Sequence, residues 1–250
     1  MVCAGFYNIG KNKFSSDGFI VAKAGKDGEL YDVKTYEIPL EILNQNLSES
    51  KKKKNEKKDE EGKAEFEALK LQEVIVNNDG SLVLLGEQYY TELHQKPSTS
   101  KSKVFTHYRT YHYNDLLAAR IDKSGNLSWI KKMPKKQRGR NQKGGMSYKN
   151  ISANGSHYFL YLDNVKNFNL PADKKPALHT DGEGGYFTSY KIDDATGAVS
   201  AGSVFNVRDV EDMTIYEFGT ERILKTAENE FVLEFYKKKK EDVMLKVKML

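Results

Sequence analysis

One pattern restricts the fold of this chain more than any other: apolar run, Asn/Asp/Gly turn and apolar run recur in the same order along its 250 residues. Self-similarity of this kind is the signature of repeat architectures. Residues 66–134 give the clearest copy. Ala68 to Val76 reads as a strand and is followed by the turn Asn77-Asn78-Asp79-Gly80. Asn, Asp and Gly tolerate the positive φ that tight hairpins require. Ser81 to Tyr90 is next, with Leu82, Val83, Leu84 and Leu85 in succession. An unbroken apolar run marks a strand covered on both faces. Asn114 to Asp122 forms the third strand, Lys123-Ser124-Gly125-Asn126 the turn, and Leu127 to Pro134 the fourth strand. Pro134 lacks a backbone donor and is expected to end the pairing.

The order returns three more times. Ile20 to Lys23, the turn at Lys26-Asp27-Gly28 and Leu30 to Pro39 match strands three and four. Tyr158 to Leu162 matches strand two, and Tyr186 to Asp193 with Val199 to Val207 matches the last two. Phe231 to Tyr236 and Val243 to Met249 match strands two and three. The landmarks Gly5, Gly86, Leu162 and Phe235 lie 81, 76 and 73 residues apart. Blades of a propeller usually take about 40 to 50 residues, and long loops account for the excess. The expected fold is therefore all-β: a β-propeller-like array of about four antiparallel four-stranded blades, at about 1–43, 66–134, 145–207 and 215–250, forming a single partial domain. The first blade opens at strand two and the last ends at strand three, so both are incomplete. Open sheet edges are an aggregation liability. The chain accordingly reads as the C-terminal part of a longer propeller, with upstream blades as its first partner.

The segment NDLLAARIDKSGNLSWIKKMP resembles the tandem propeller repeats of bacterial envelope proteins, the SBBP type, in which DxFVxKLD is followed by xxGNxxW. Gly18 to Pro39 and Gly185 to Val204 are weaker copies, and Trp129 is the one Trp of the chain. The resemblance implies a propeller scaffold, a quinoprotein-like relative at most, and a periplasmic or cell-surface parent. It implies no chemistry.

Residues 44–65 are almost free of apolar side chains and are expected to form a mobile loop or frayed helix between blades. Residues 93–106 read as an insertion projecting from the turn between strands two and three. No stretch reaches the roughly 18 to 20 apolar residues of a membrane-spanning helix. The N-terminal MVCAGFYNIGKNKF has no basic start followed by an apolar run and reads as a strand instead of a signal peptide. Cys3 alone excludes an internal disulfide, and its apolar neighbours predict a buried thiol.

Charge is concentrated. Lys131, Lys132, Lys135, Lys136, Arg138, Arg140 and Lys143 stand together without an acid, more than the whole net charge of +5. Read as an exposed loop, they form the candidate site, able to hold a protein, an anionic glycan or an anionic surface by charge neutralisation. The loop carries no aromatic ring to stack a base, so specific nucleic-acid binding is not expected. In THYRTYHYND the five-residue spacing places His107 and His112 on opposite faces of a strand, poor for one metal. An aromatic patch with Tyr108, Tyr111 and Tyr113 is expected there. HTDGEGG, with Asp181 and Glu183, has too few regularly spaced oxygens for calcium and reads as a hairpin loop. Phosphate loops, nucleophile elbows and zincin helices are missing. The expectation is a non-catalytic scaffold or binding module without cofactor or metal. The alternative is a propeller enzyme, a hydrolase, lyase or quinoprotein-like oxidoreductase, whose site is shared with upstream blades.

Overall fold

The computed structural model describes residues 2–10, 14–97, 105–140, 146–168, 170–171, 173–180, 185–206, 215–237 and 241–249. The chain runs β1 (Val2–Tyr7), β2 (Gly18–Ala24), β3 (Leu30–Glu37), α1 (Leu40–Asn44), α2 (Glu49–Glu60), β4 (Leu69–Val76), β5 (Leu82–Pro97), β6 (Phe105–Ile121) and β7 (Leu127–Arg140). It continues through β8 (Lys149–Ala153), β9 (Ser156–Asp163), a 3₁₀ turn at Val165–Asn167, β10 (His179–Thr180), β11 (Tyr186–Asp193), β12 (Val199–Asn206), β13 (Ile215–Ala227), β14 (Glu230–Lys237) and β15 (Glu241–Lys248). The fold is all-β, and its strands form sheets ordered β1-β2-β3, β10-β7-β6-β5-β4, β12-β11-β9-β8 and β13-β14-β15, none closed on itself.

Local chemistry explains the hairpins. Gly28, Gly80 and Gly125 have φ of +84°, +83° and +81° at the three anticipated turns, a region closed to most side chains. Asp122 Oδ1 accepts from the backbone N–H of Ser124 and Asn126, both at 2.8 Å, and locks one of these turns. All eight residues of β9 are buried, as the apolar run Tyr158 to Leu162 at its centre leads one to expect of a strand covered on both faces.

Several expectations change. Residues 131–140 are not a loop: β7 runs through Pro134 to Arg140. The two-residue β10 reaches β7 only at Gln137 and Arg138. At Pro134 the β10 side of β7 is therefore an edge, a setting in which a strand tolerates proline. The β10–β7 pairing is parallel, against an all-antiparallel expectation. Residues 93–97 and 105–106 extend the strands β5 and β6, and the tip of that insertion lies outside the described residues. The charged segment contains the ordered helix α2 because Lys and Glu are good helix formers and Lys52 pairs with Glu49 at 2.8 Å. Cys3 is exposed, since β1 turns it away from the core. Trp129 is buried.

The chain divides into two compact units. The first comprises residues 1–89, 115–134 and 170–175, and its core gathers Phe19, Phe66, Leu84, Leu117 and Ile121. The second comprises 90–114, 135–169 and 176–250, around Leu160, Phe187, Phe231, Leu233 and Phe235.

Candidate functional site

In the second unit β7 presents two rows of side chains, because successive residues of a strand point to opposite faces. Lys136, Arg138 and Arg140 are exposed, while Lys135, Gln137 and Gly139 between them are buried.

The outer row lies beside rings from β5 and β6. The Arg140 guanidinium stands 3.8 Å from the centre of the Tyr108 ring. His94 stacks on Tyr108 with ring centres 4.9 Å apart, and His112 stacks on Tyr90 at 4.4 Å. Glu92 Oε2 lies 3.1 Å from His112 Nε2 and 3.6 Å from His94 Nε2. Cations and planar rings thus share one surface, which can hold an anion by charge and a flat molecule by stacking. The alternation that builds this surface also splits the anticipated aromatic patch. Tyr108 belongs to the outer surface, whereas the Tyr113 ring lies 5.9 Å from the buried Lys135 Nζ. His107 is exposed.

The inner row carries a polar cluster. Lys135, fully buried, donates to Tyr113 O and to Gln137 Oε1, both at 3.0 Å. Gln137 in turn donates to Leu162 O at 2.8 Å, and its Oε1 accepts from the Ser147 backbone N–H at 2.8 Å. Asp163 accepts from the Asn167 side chain at 2.7 Å and from the Asn164 backbone N–H at 2.8 Å. Burial pushes its carboxyl up to about 6, against those two bonds and the pull of Lys135. His179, brought in by β10, is lowered to about 4 by burial and by the Lys135 charge. Its Nε2 has no hydrogen-bond partner among the described residues. Gly185 packs so closely on Asp163 O that a Cβ there would collide with it. Burial thus favours the protonated form of Asp163 and the neutral form of His179 within one cluster.

The seven sequence-predicted cations therefore separate. Lys136, Arg138 and Arg140 are brought together on the outer surface. Lys135 is buried in the cluster. Lys132, also buried, belongs to the first unit, where it bonds Gln45 O at 2.8 Å and Asp115 at 3.2 Å. Lys131 is half-buried. Lys143, like Asp181 and Glu183, lies outside the described residues. Lys135 is withdrawn as a surface contact because every second side chain of a strand with one covered face turns inward, and Lys132, which falls in the other phase of that alternation, because Leu43 O, Gln45 O and Asp115 hold its buried ammonium. Sequence reasoning passed over His94, Tyr90, Asp163 and His179. The period of two in Lys135-x-Gln137-x-Gly139 was a usable signal for the inner row. It was masked by the equal polarity of the outer residues.

Among the described residues, no group of three or more His, Cys, Asp or Glu is placed to hold a metal ion. No helix among them is long and apolar enough to cross a membrane. Compared with known protein families and with curated proteins, the sequence matches none. Among solved structures, a mutant of Synechocystis apocarotenoid oxygenase aligns over 96% of this chain with 12% identity and a TM-score of 0.35. The chain spans 43% of the length of that structure, a likeness too slight to assign a fold or a function.

Proposed function

We propose that this chain is a non-catalytic binding module of propeller-like build whose outer β7 surface takes an anionic glycan. The observation that carries the reading is the Arg140 guanidinium 3.8 Å from the Tyr108 ring, in line with the exposed Lys136 and Arg138. Cations two residues apart on a strand repeat at about 7 Å. That is a row suited to successive charges on an extended polymer. The rings of Tyr108, His94, His112 and Tyr90 offer flat surfaces for sugar faces beside that row. The propeller arrangement is supported by consecutive antiparallel strands gathered into successive sheets along the chain. A bacterial envelope setting is supported by the repeat resemblance alone.

Retention on immobilised heparin at moderate salt tests the reading. The variant carrying Lys136→Gln, Arg138→Gln and Arg140→Gln should elute at clearly lower salt than the parent chain. Its thermal melt should fall by no more than about 4 °C, because all three side chains are exposed and only the Arg140–Tyr108 contact is lost. Unaltered retention would remove this surface as the site.

A further inference from the structure

The first unit contains an open cleft of about 130 Å³, framed by α1, α2 and the strands carrying Gln88, Asp115 and Lys132. One wall is apolar: Leu43, Leu47 and Phe66 line it, and Leu43 and Phe66 also belong to the unit's core. Helix α2 contributes Lys51, Lys54 and Asn55 to the lining. We infer that this cleft binds a small carboxylate with an apolar body, about the size of an aryl or short aliphatic acid.

Charge selects the sign of the ligand. The three acids around the cleft have two cations among them. Asp115 is paired with Lys132 at 3.2 Å, and Glu65 and Glu67 lie 3.9 Å and 3.4 Å from Lys58. Lys132 is spent as well: besides Asp115, its ammonium bonds Gln45 O at 2.8 Å and Leu43 O at 3.4 Å. Lys51 and Lys54 remain. Neither side chain has an ion pair or hydrogen bond with a described residue, and both residues line the cleft. Lys51, Lys54, Lys58 and Lys132 thus stand against Asp115, Glu65 and Glu67, which leaves one positive charge over at a cleft that Leu43, Leu47 and Phe66 also line.

Helix α2 makes this arrangement unusual. A docked surface helix ordinarily buries an apolar stripe, yet α2 has no buried residue. Twelve residues are marginal for a free helix in water. Asn55, which donates to Asn44 Oδ1 at 2.9 Å, and Lys58 tie it down, and its cations are what it brings to the cleft. Size sets the rest: a cavity of about 150 Å³ holds one benzene ring. The cleft therefore suits a ring or short chain bearing one carboxylate at the lysine side.

Benzoate is a suitable probe, with benzamide as its neutral isostere and sulfate as an anion without an apolar body. Backbone amide resonances of the isotope-labelled full chain would report the titrations at low salt. Benzoate should give saturable shifts over residues 42–67 and bind about tenfold more tightly than benzamide, the scale of one exposed charge contact. It should also slow hydrogen exchange in α2. The double variant Lys51→Gln, Lys54→Gln should fold normally, since it changes exposed side chains only, and should bring benzoate to the benzamide level. Equal binding of benzoate and benzamide, full binding by the double variant, or shifts confined to other residues would overturn the inference. So would sulfate displacing benzoate at equal concentration, because an apolar body would then contribute nothing. Heparin retention, governed by the other unit, reports on the outer β7 surface separately.

Discussion

Lys135 and Lys136 are adjacent in sequence and share a side chain, yet one is fully buried and the other exposed. The inner cation is held by Tyr113 O and Gln137 Oε1 and polarises Asp163 and His179. The outer one stands in a row with Arg138 and Arg140 beside stacked rings. Desolvation separates them: a buried ammonium persists only with partners that replace its water, whereas an exposed one keeps its water and is free to meet a ligand. Equal charge on the two faces of one strand thus serves two ends, support within and recognition without.

The largest expected effect breaks this contrast directly. Lys135→Ala strips donors from Tyr113 O and Gln137 Oε1 and leaves a void, for an expected loss of about 4 kcal/mol. Lys136→Ala should stay within about 0.5 kcal/mol. Urea unfolding of the two variants measures both, and similar midpoints would erase the distinction between the faces.

A second test uses the two titrating groups of the inner cluster. Asp163 has a folded pKa of about 6, above the ordinary 3.8, so its burial favours the protonated form. Its contribution is fully present below about pH 4 and is lost as pH rises through 6. His179 has a folded pKa of about 4, below the ordinary 6.5, so its burial favours the neutral form. Its contribution is present above about pH 6.5 and is lost as pH falls through 4. The two slopes oppose each other across one window and largely cancel in the parent chain. Asp163→Asn should therefore leave a protein that weakens on acidification, and His179→Gln one that weakens towards neutrality. Each slope should total about 3 kcal/mol between pH 4 and pH 6.5. Stability curves of parallel slope in both variants would show that neither group is held as described.

Identical residues in different surroundings give a smaller effect in the first unit. Gly5 lies in β1 and Gly86 in β5, but a Cβ at Gly86 would stand 2.7 Å from the Phe6 ring and one at Gly5 would meet nothing within 4 Å. Gly86→Ala should cost about 2 kcal/mol through overpacking, and Gly5→Ala close to nothing. Equal thermal shifts would contradict that packing.

These pairs also mark how far the sequence could be read. Turns were legible because Gly28, Gly80 and Gly125 sit where only φ above zero closes the hairpin. Strand β9 was legible because its centre, Tyr158 to Leu162, is an unbroken run of aromatic and aliphatic residues. The inner cluster was not, since Lys135 and Gln137 share the polarity of Lys136 and Arg138, and no hydropathy period separates the rows. Pro134 reinforced the misreading by resembling a stop where the strand is merely an edge. The partners of Lys135 come from β6, β9 and β10, and pairing at that separation is set by tertiary structure. Legibility stopped where burial was decided by distant strands.

The smallest expected effect concerns the outer surface alone. The Arg140 guanidinium and the Tyr108 ring are close enough for a cation–π contact, and His94 backs the same ring. At an exposed site such a contact is worth about 0.5 to 1 kcal/mol. A double-mutant cycle with Arg140→Gln, Tyr108→Ala and their combination isolates it from the packing each side chain makes elsewhere. The coupling should appear in the stability of the free chain at that size and shrink only slightly in high salt. Guanidinium stacking depends on ring contact, whereas a bare surface charge is screened within about 10 Å at 0.1 M salt. Arg140→Lys should lose most of the coupling while keeping the charge, because a lysine ammonium cannot lie flat on the ring. If Arg140→Lys also keeps full heparin retention, the surface reads charge alone and the rings are bystanders. If retention falls with the coupling, the stack sets the geometry in which the outer row meets its glycan, a role the buried Lys135 a few residues away cannot share.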